Sequence, residues 1–196
     1  MSLKIAIMQP YFFPYIGYWQ LVHSVDTFVV FDDVNFSKRS YISRNSILLN
    51  HKPHLISLEL SGASQNKKIN EVVVGNNREC LYEKICMAYS KAPHFHDFIN
   101  VVERILYNPE KNLAKFLAFS ITTLAEHLVL ETNFVFSSDL ANNKNLKGQD
   151  KIIEICQILD ATVYVNAPGG RLLYDNACFD SFGISLKFLN PYAIKY

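Results

Sequence analysis

The side chains best suited to chemistry fall between Gln9 and Asn45. Asp32 and Asp33 form a carboxylate pair that can supply a general base or a metal ligand. Neighbouring strand residues point to opposite faces, so the pair reaches one atom only where the strand has ended. The plainer role for such a pair is one Asp capping a turn and the other in solvent. Gln9, directly before Pro10, offers a neutral amide that can bind sugar hydroxyls or a carbonyl without titrating. Tyr11, Phe12, Phe13, Tyr15, Tyr18 and Trp19 can wall a base or sugar, or can simply pack a core.

A second set is cationic. Lys38, Arg39 and Arg44, set among hydroxyl, amide and aromatic groups, read as an anion-binding loop over Asn35–Asn50. Arg supplies bidentate geometry for phosphate, and backbone donors can complete the cradle. The competing reading is a solvated turn with Phe36 and Tyr41 tucked inward. The loop's place directly after an acidic strand end favours the anion reading. Further on, His94-Phe95-His96 invites a metal, but only Asp97 stands close in sequence, and zinc sites usually need three or four ligands. His94 and His96 are therefore read as ordinary loop or helix-start residues, and His127 as a helix-face residue. No metal and no cofactor is assigned. The turn Asn166-Ala-Pro-Gly-Gly170 follows an apolar run, and its glycines permit positive φ or close approach of a ligand. It matches neither the phosphate loop nor the dinucleotide fingerprint, and a tight strand-to-helix turn explains it equally well.

Such groups need a scaffold that gathers strand ends. Ile5–Met8 and the run ending at Asp32 read as buried parallel strands, joined by an aromatic loop and a helix carrying Gly17 and Trp19. Strands are also predicted at His54–Leu60, Asn133–Ser137, Ala161–Val165 and Ile184–Phe188, with a short strand or linker at Ile69–Val74. Helices are predicted over Arg78–Ala92, Phe98–Tyr107, Leu113–Leu128 and Lys151–Leu159. Ser138–Asp150 is the most disorder-prone loop, and Arg171–Phe182 has no clear period. The pattern predicts one α/β domain over 1–196, three-layered about a largely parallel sheet, with a helical subregion near 78–128. Ligands bind such sheets where strands end, which points to Gln9–Tyr18 and Asp32–Asn45.

Composition narrows the function classes. Nearly half of the 196 residues are apolar (49%), which excludes a disordered tail. A formal charge of +1 gives no global reason for a nucleic acid or an anionic membrane as partner. The short apolar N-terminus does not suit a signal peptide and no run suits a membrane span, so the protein is expected in the cytoplasm. The four cysteines, Cys80, Cys86, Cys156 and Cys178, form no Cys-x-x-Cys pair and read as reduced, mostly buried thiols.

The run Met8-Gln-Pro-Tyr-Phe-Phe-Pro-Tyr-Ile-Gly-Tyr18, the Asp32-Asp33 pair, Lys38 with Arg44-Asn45, Tyr89 with Lys91-Ala-Pro-His-Phe95, and Lys147-Gly148 before Ile-Glu-Ile-Cys156 together resemble the WbqC-like protein family. The likeness covers essentially the whole chain. It implies a bacterial or archaeal cytoplasmic protein of O-antigen or other surface-polysaccharide synthesis, modifying or transferring a nucleotide-activated sugar. It also implies a C-terminal continuation past Tyr196, with any site residue there lying outside this chain. A fainter likeness links Tyr15-Ile-Gly-Tyr18 to the His-x-Gly-His turn of adenylyl-transferring nucleotidyltransferases, which implies a Rossmann-like, nucleotidyltransferase-like N-terminal half. Phenols in place of imidazoles stay neutral near pH 7, so ordinary nucleotidyl transfer is not expected.

From residues and resemblance together, Gln9, Asp32, Asp33 and Arg44 are the candidate catalytic groups. Pro10, Tyr11, Tyr15, Gly17, Tyr18, Lys38, Arg39, Asn45, Lys91, Asn166 and Gly169 are the candidate substrate-binding groups. The expected partner is a nucleotide-linked sugar or another phosphorylated small molecule, and oligomerisation stays open. Two further readings remain beside the transferase: a non-catalytic nucleotide-sugar-binding or scaffold protein, and a metal-dependent hydrolase using His94 and His96.

Overall fold

The computed structural model describes residues 2–142, 144–190 and 192. In chain order the elements are β1 (Lys4–Met8), α1 (Ile16–His23), β2 (Thr27–Val30), β3 (Arg44–Leu49), β4 (Lys52–Ser57), β5 (Leu60–Ser61), β6 (Val73–Val74), α2 (Arg78–Tyr89), α3 (Phe95–Leu106), α4 (Leu113–His127), β7 (Asn133–Phe136), α5 (Gly148–Ile158), β8 (Val163–Asn166), α6 (Asn176–Ser181) and β9 (Ser185–Phe188). The chain divides into two compact units.

The first unit comprises 1–9, 15–33 and 130–196, and holds a five-stranded sheet of order β7-β2-β1-β8-β9. Every neighbouring pair is parallel. Strands covered on both faces need near-continuous apolar sequence, and β2 is buried at all four positions. Phe28 and Val29 show how two layers of helix arise from one strand. Phe28 meets Tyr18 of α1 (ring centroids 5.3 Å apart), whereas Val29 joins a core with Ile152, Ile155 and Cys156 of α5 and Phe179 of α6. Since successive strand residues point to opposite faces, α1 covers one face and α5 with α6 the other. The three-layer, largely parallel expectation holds.

The second unit, 10–14 and 34–129, contains the antiparallel pairs β3–β4 and β5–β6 and helices α2 to α4. The helical middle segment is present as expected. The hairpin was not foreseen: residues 44–49, read as part of the basic loop, pair with β4 through a two-residue turn at Asn50 and His51, with φ of 50° and 60°. Two left-handed residues match the twist of a hairpin, but Asn-His lacks the glycine that normally announces it. The predicted strand His54–Leu60 is split between β4 and β5, because residues 52–57 pair with β3 whereas Leu60 and Ser61 pair with β6. Helix α4 starts where the Asn112 side chain accepts from the Lys115 N–H (3.2 Å), and α6 fills the stretch without a clear period. The loop after β7 opens with a 3-10 turn at Ser137–Asp139, and α5 begins at Gly148 rather than Lys151. Within that loop Asn143 lies outside the described residues.

All four cysteines are free thiols, and Cys80 is exposed rather than buried. No helix among the described residues is long and apolar enough to cross a membrane.

Candidate functional site

In the sheet order β7-β2-β1-β8-β9 the chain moves one way from β1 through β2 to β7 and the other way through β8 to β9. The direction reverses between β1 and β8, which are hydrogen-bonded neighbours. Crevices for ligands form at the carboxyl ends of strands at such a point. Gln9 and Asn166 occupy those two ends.

The turn after β8 is built around Asn166, which is buried and accepts the Ala167 N–H on its side-chain oxygen (2.7 Å). Its amide nitrogen leaves no room at Gly170, where a Cβ would lie 2.3 Å away. Gly169, the glycine favoured from sequence, has open space around it. Gly170 is thus the residue that the turn requires, a distinction that depends on a side chain folding back. Beneath lie Tyr164, stacked on Phe179 with centroids 5.6 Å apart, and Tyr174 edge-on to both. Burial raises the Tyr164 phenol well above its usual range.

On the β1 side, the Tyr18 phenol donates to the Gln9 carbonyl (3.2 Å) and is only 1% exposed. This corrects its expected role: Tyr18 holds the Gln9 backbone from within the core and presents no face to a ligand. Tyr15 is exposed, and its ring lies across Gly17, where a Cβ would meet the Tyr15 Cε2 at 2.5 Å. Gly17 therefore lets the phenol lie flat on the helix start.

Asp32 and Asp33 follow the end of β2 at Val30, so the condition for both to reach one group is met. The group is Ser137, whose Oγ lies 3.0 Å from Asp32 Oδ1 and 2.6 Å from Asp33 Oδ1. One hydroxyl proton serves one carboxylate at a time. Asp32 also accepts the Ser138 N–H (3.0 Å) and the Ser138 hydroxyl (2.7 Å). Asp33 Oδ2 accepts from Lys151 Nζ at 2.6 Å, and the ammonium lies 5.4 Å from the centre of the Phe31 ring. Both carboxylates are buried, which corrects the picture of one capping a turn and one in solvent. To act as a base, either would have to shed partners that it holds in this state.

Sequence reasoning missed Ser137, Ser138 and Lys151. The signal for Lys151 is its spacing: it stands four residues before Ile155 on the buried stripe of α5, where a charge needs a partner.

The remaining candidates belong to the second unit. Pro10 is buried, Lys38, Arg39 and Lys91 are exposed, and Tyr11, Arg44 and Asn45 are half-buried. The Asn45 amide donates to the carbonyls of Phe13 (2.6 Å) and Phe12 (3.2 Å), so it fixes the aromatic loop. The Arg44 guanidinium donates to the Arg39 carbonyl. Tyr41 is 55% exposed, against the inward packing considered for it, whereas Phe36 is buried. His94 and Asp97 form an exposed pair at 3.4 Å, and among the described residues no three His, Cys, Asp or Glu side chains converge as a metal site.

Comparison with known proteins agrees with the sequence motifs. The model of the WbqC-like protein family matches residues 9–196. The chain is similar to the "Uncharacterized protein Rv1507c" of Mycobacterium tuberculosis, 26% identical over 193 residues, which span 95% of this chain and 82% of that protein. No solved structure matches it.

Proposed function

The chain belongs to the WbqC-like protein family, and on that premise we propose that it is a transferase acting on a nucleotide-activated sugar, an amino sugar among them, in O-antigen or other surface-polysaccharide synthesis. Glycosyl, acyl and aminoacyl transfer all suit the site. The observation that carries the reading is the reversal point of the parallel sheet, where Gln9 and the Asn166–Gly170 turn stand at adjacent strand ends. Amides, a phenol at Tyr15 and turn backbone give neutral donors and acceptors, which suits polyhydroxylated rings better than a bare phosphate. Calorimetry of the full chain against a panel of nucleotide sugars tests it. Binding that is lost in Gln9→Ala supports the reading, and no heat with any member of the panel removes its basis.

A second reading has one observation in its favour. Both acidic candidates are held in a buried network, which leaves the sheet unit without an open carboxylate at these positions and favours a non-catalytic nucleotide-sugar-binding protein of the same pathway. Mass spectrometry of the surface glycan in cells carrying Gln9→Ala or Arg44→Ala separates the two. A glycan that keeps every substituent, with the variants folded, supports the binding protein.

A further inference from the structure

The second unit has an electrostatic character that the whole chain conceals. Between Asp33 and Glu59 there is no carboxylate side chain, yet Lys38, Arg39, Arg44 and Lys52 all fall there, against a formal charge of only +1 overall. Among the described residues, none of Lys38, Arg39 and Arg44 takes part in an ion pair. Lys38 and Arg39 are exposed, so their charges are open to an anionic ligand.

Between Arg39 and Arg44 in sequence stands Tyr41, one half of an aromatic pair. Tyr11 and Tyr41 have ring centroids 5.7 Å apart at an interplanar angle of 46°, and Tyr41 exposes more than half of its surface. The two segments are fastened together: the Phe12 N–H donates to the Tyr41 carbonyl (2.8 Å), and the Asn45 amide grips Phe12 and Phe13. Two non-glycine residues of this small body adopt left-handed backbone, Phe13 at φ 47° and Arg39 at φ 60°. For a bulky side chain that conformation is strained, and it persists where surrounding bonds over-determine it. Here Asn45 holds the first and the Arg44 guanidinium, on the Arg39 carbonyl, holds the second. A plain solvated turn has no need of such clamping.

We infer that this unit carries a binding site of its own for a nucleoside diphosphate, with the Tyr41 face, backed by Tyr11, as the base platform and Lys38, Arg39 and Arg44 as the phosphate contacts. An exposed aromatic face among cations discriminates a nucleotide from a simple anion, since base stacking adds to charge neutralisation. Three cations are too few to track a polynucleotide backbone. The inference rests on the nucleotide-sugar reading for the class of ligand but not for the place.

The test is calorimetry of the full chain with uridine, guanosine, cytidine and thymidine diphosphates, and with inorganic pyrophosphate as the anion alone. Tyr41→Ala keeps the backbone carbonyl that Phe12 uses, and Arg39→Gly suits the left-handed φ. At least one nucleoside diphosphate binds more tightly than pyrophosphate, and Tyr41→Ala weakens it by about tenfold while leaving pyrophosphate unchanged. Lys38→Ala with Arg39→Gly weakens both by about tenfold or more. Equal affinity for pyrophosphate and nucleotide, with Tyr41→Ala silent, overturns the platform. Nucleotide sugars that bind, depend on Gln9 and ignore all three substitutions overturn this site and leave the transferase reading standing. Nucleoside diphosphates that bind through Tyr41, with no nucleotide sugar bound, do the reverse. If nothing binds, both fall.

Discussion

Lys151 Nζ lies 2.6 Å from Asp33 Oδ2, with 4% and 1% of the two side chains exposed. Burying such a pair gives little net stability, because desolvation of the two ions offsets their attraction. Breaking it is different. Lys151→Met leaves a buried carboxylate that has lost its ammonium and that shares the Ser137 hydroxyl with Asp32. The expected cost is about 3–5 kcal/mol in urea unfolding, and Lys151→Met with Asp33→Leu should recover much of it. A single variant as stable as the parent would show that the pair is not intact in solution.

Cys156 gives a pH dependence with a definite sign. Burial pushes its thiol up to about 12, from about 8.5 in an unfolded chain. The folded state therefore holds the thiol proton more tightly. Stability from this group is complete below about 8.5 and falls as pH rises towards about 12. Urea unfolding at pH 7.5 and 10.5 should show a loss that is smaller by ~2.7 kcal/mol in Cys156→Ala. At pH 7.5 a thiol reagent should modify exposed Cys80 first and reach Cys156 only on unfolding.

Lys151 also shows what a sequence can reveal. Apolar runs were enough to find β1, α1, β2 and β8, because parallel strands buried on both faces leave that trace. Strand-end logic pointed to Gln9 and Asn166, which lie at the carboxyl ends of the neighbouring strands β1 and β8. Lys151 lies outside that logic: its place on the apolar stripe of α5 marks it for burial, but the partner that makes burial tolerable, Asp33, is distant in sequence. The hairpin β3–β4 escaped because His51 takes a left-handed φ where glycine is usual. Tyr18 was placed in the wrong role for a related reason: an aromatic at a loop's edge looks the same in sequence whether it faces a ligand or a core.

Gly169 and Gly170 should part company on substitution. A Cβ at Gly170 would sit 2.3 Å from the Asn166 Nδ2 and 3.2 Å from Tyr174 Cε2, whereas nothing lies within 4 Å at Gly169. Gly170→Ala must displace the buried Asn166 amide, at an expected ~1–3 kcal/mol. Gly169→Ala should stay within about 0.5 kcal/mol of the parent. Urea unfolding measures both, and equal effects would mean that Asn166 does not fold back over the turn.

The aromatic loop poses the converse case, in which strain is relieved rather than added. Phe13 sits at φ 47°, and its carbonyl and that of Phe12 are held by the single amide of Asn45. Asn45→Asp replaces that donor with an acceptor facing two carbonyl oxygens, so a loss of about 1–3 kcal/mol is expected. Phe13→Gly removes the penalty for left-handed backbone but also the ring packed 4.7 Å from Phe12. The informative measurement is the double-mutant cycle. If Asn45 serves to hold the strained residue, Asn45→Asp should cost less in the Phe13→Gly background than alone, by at least ~0.5 kcal/mol. Strict additivity would mean that the amide and the strain are independent, and Asn45 would then be an anchor for the loop without being the reason that Phe13 keeps its conformation.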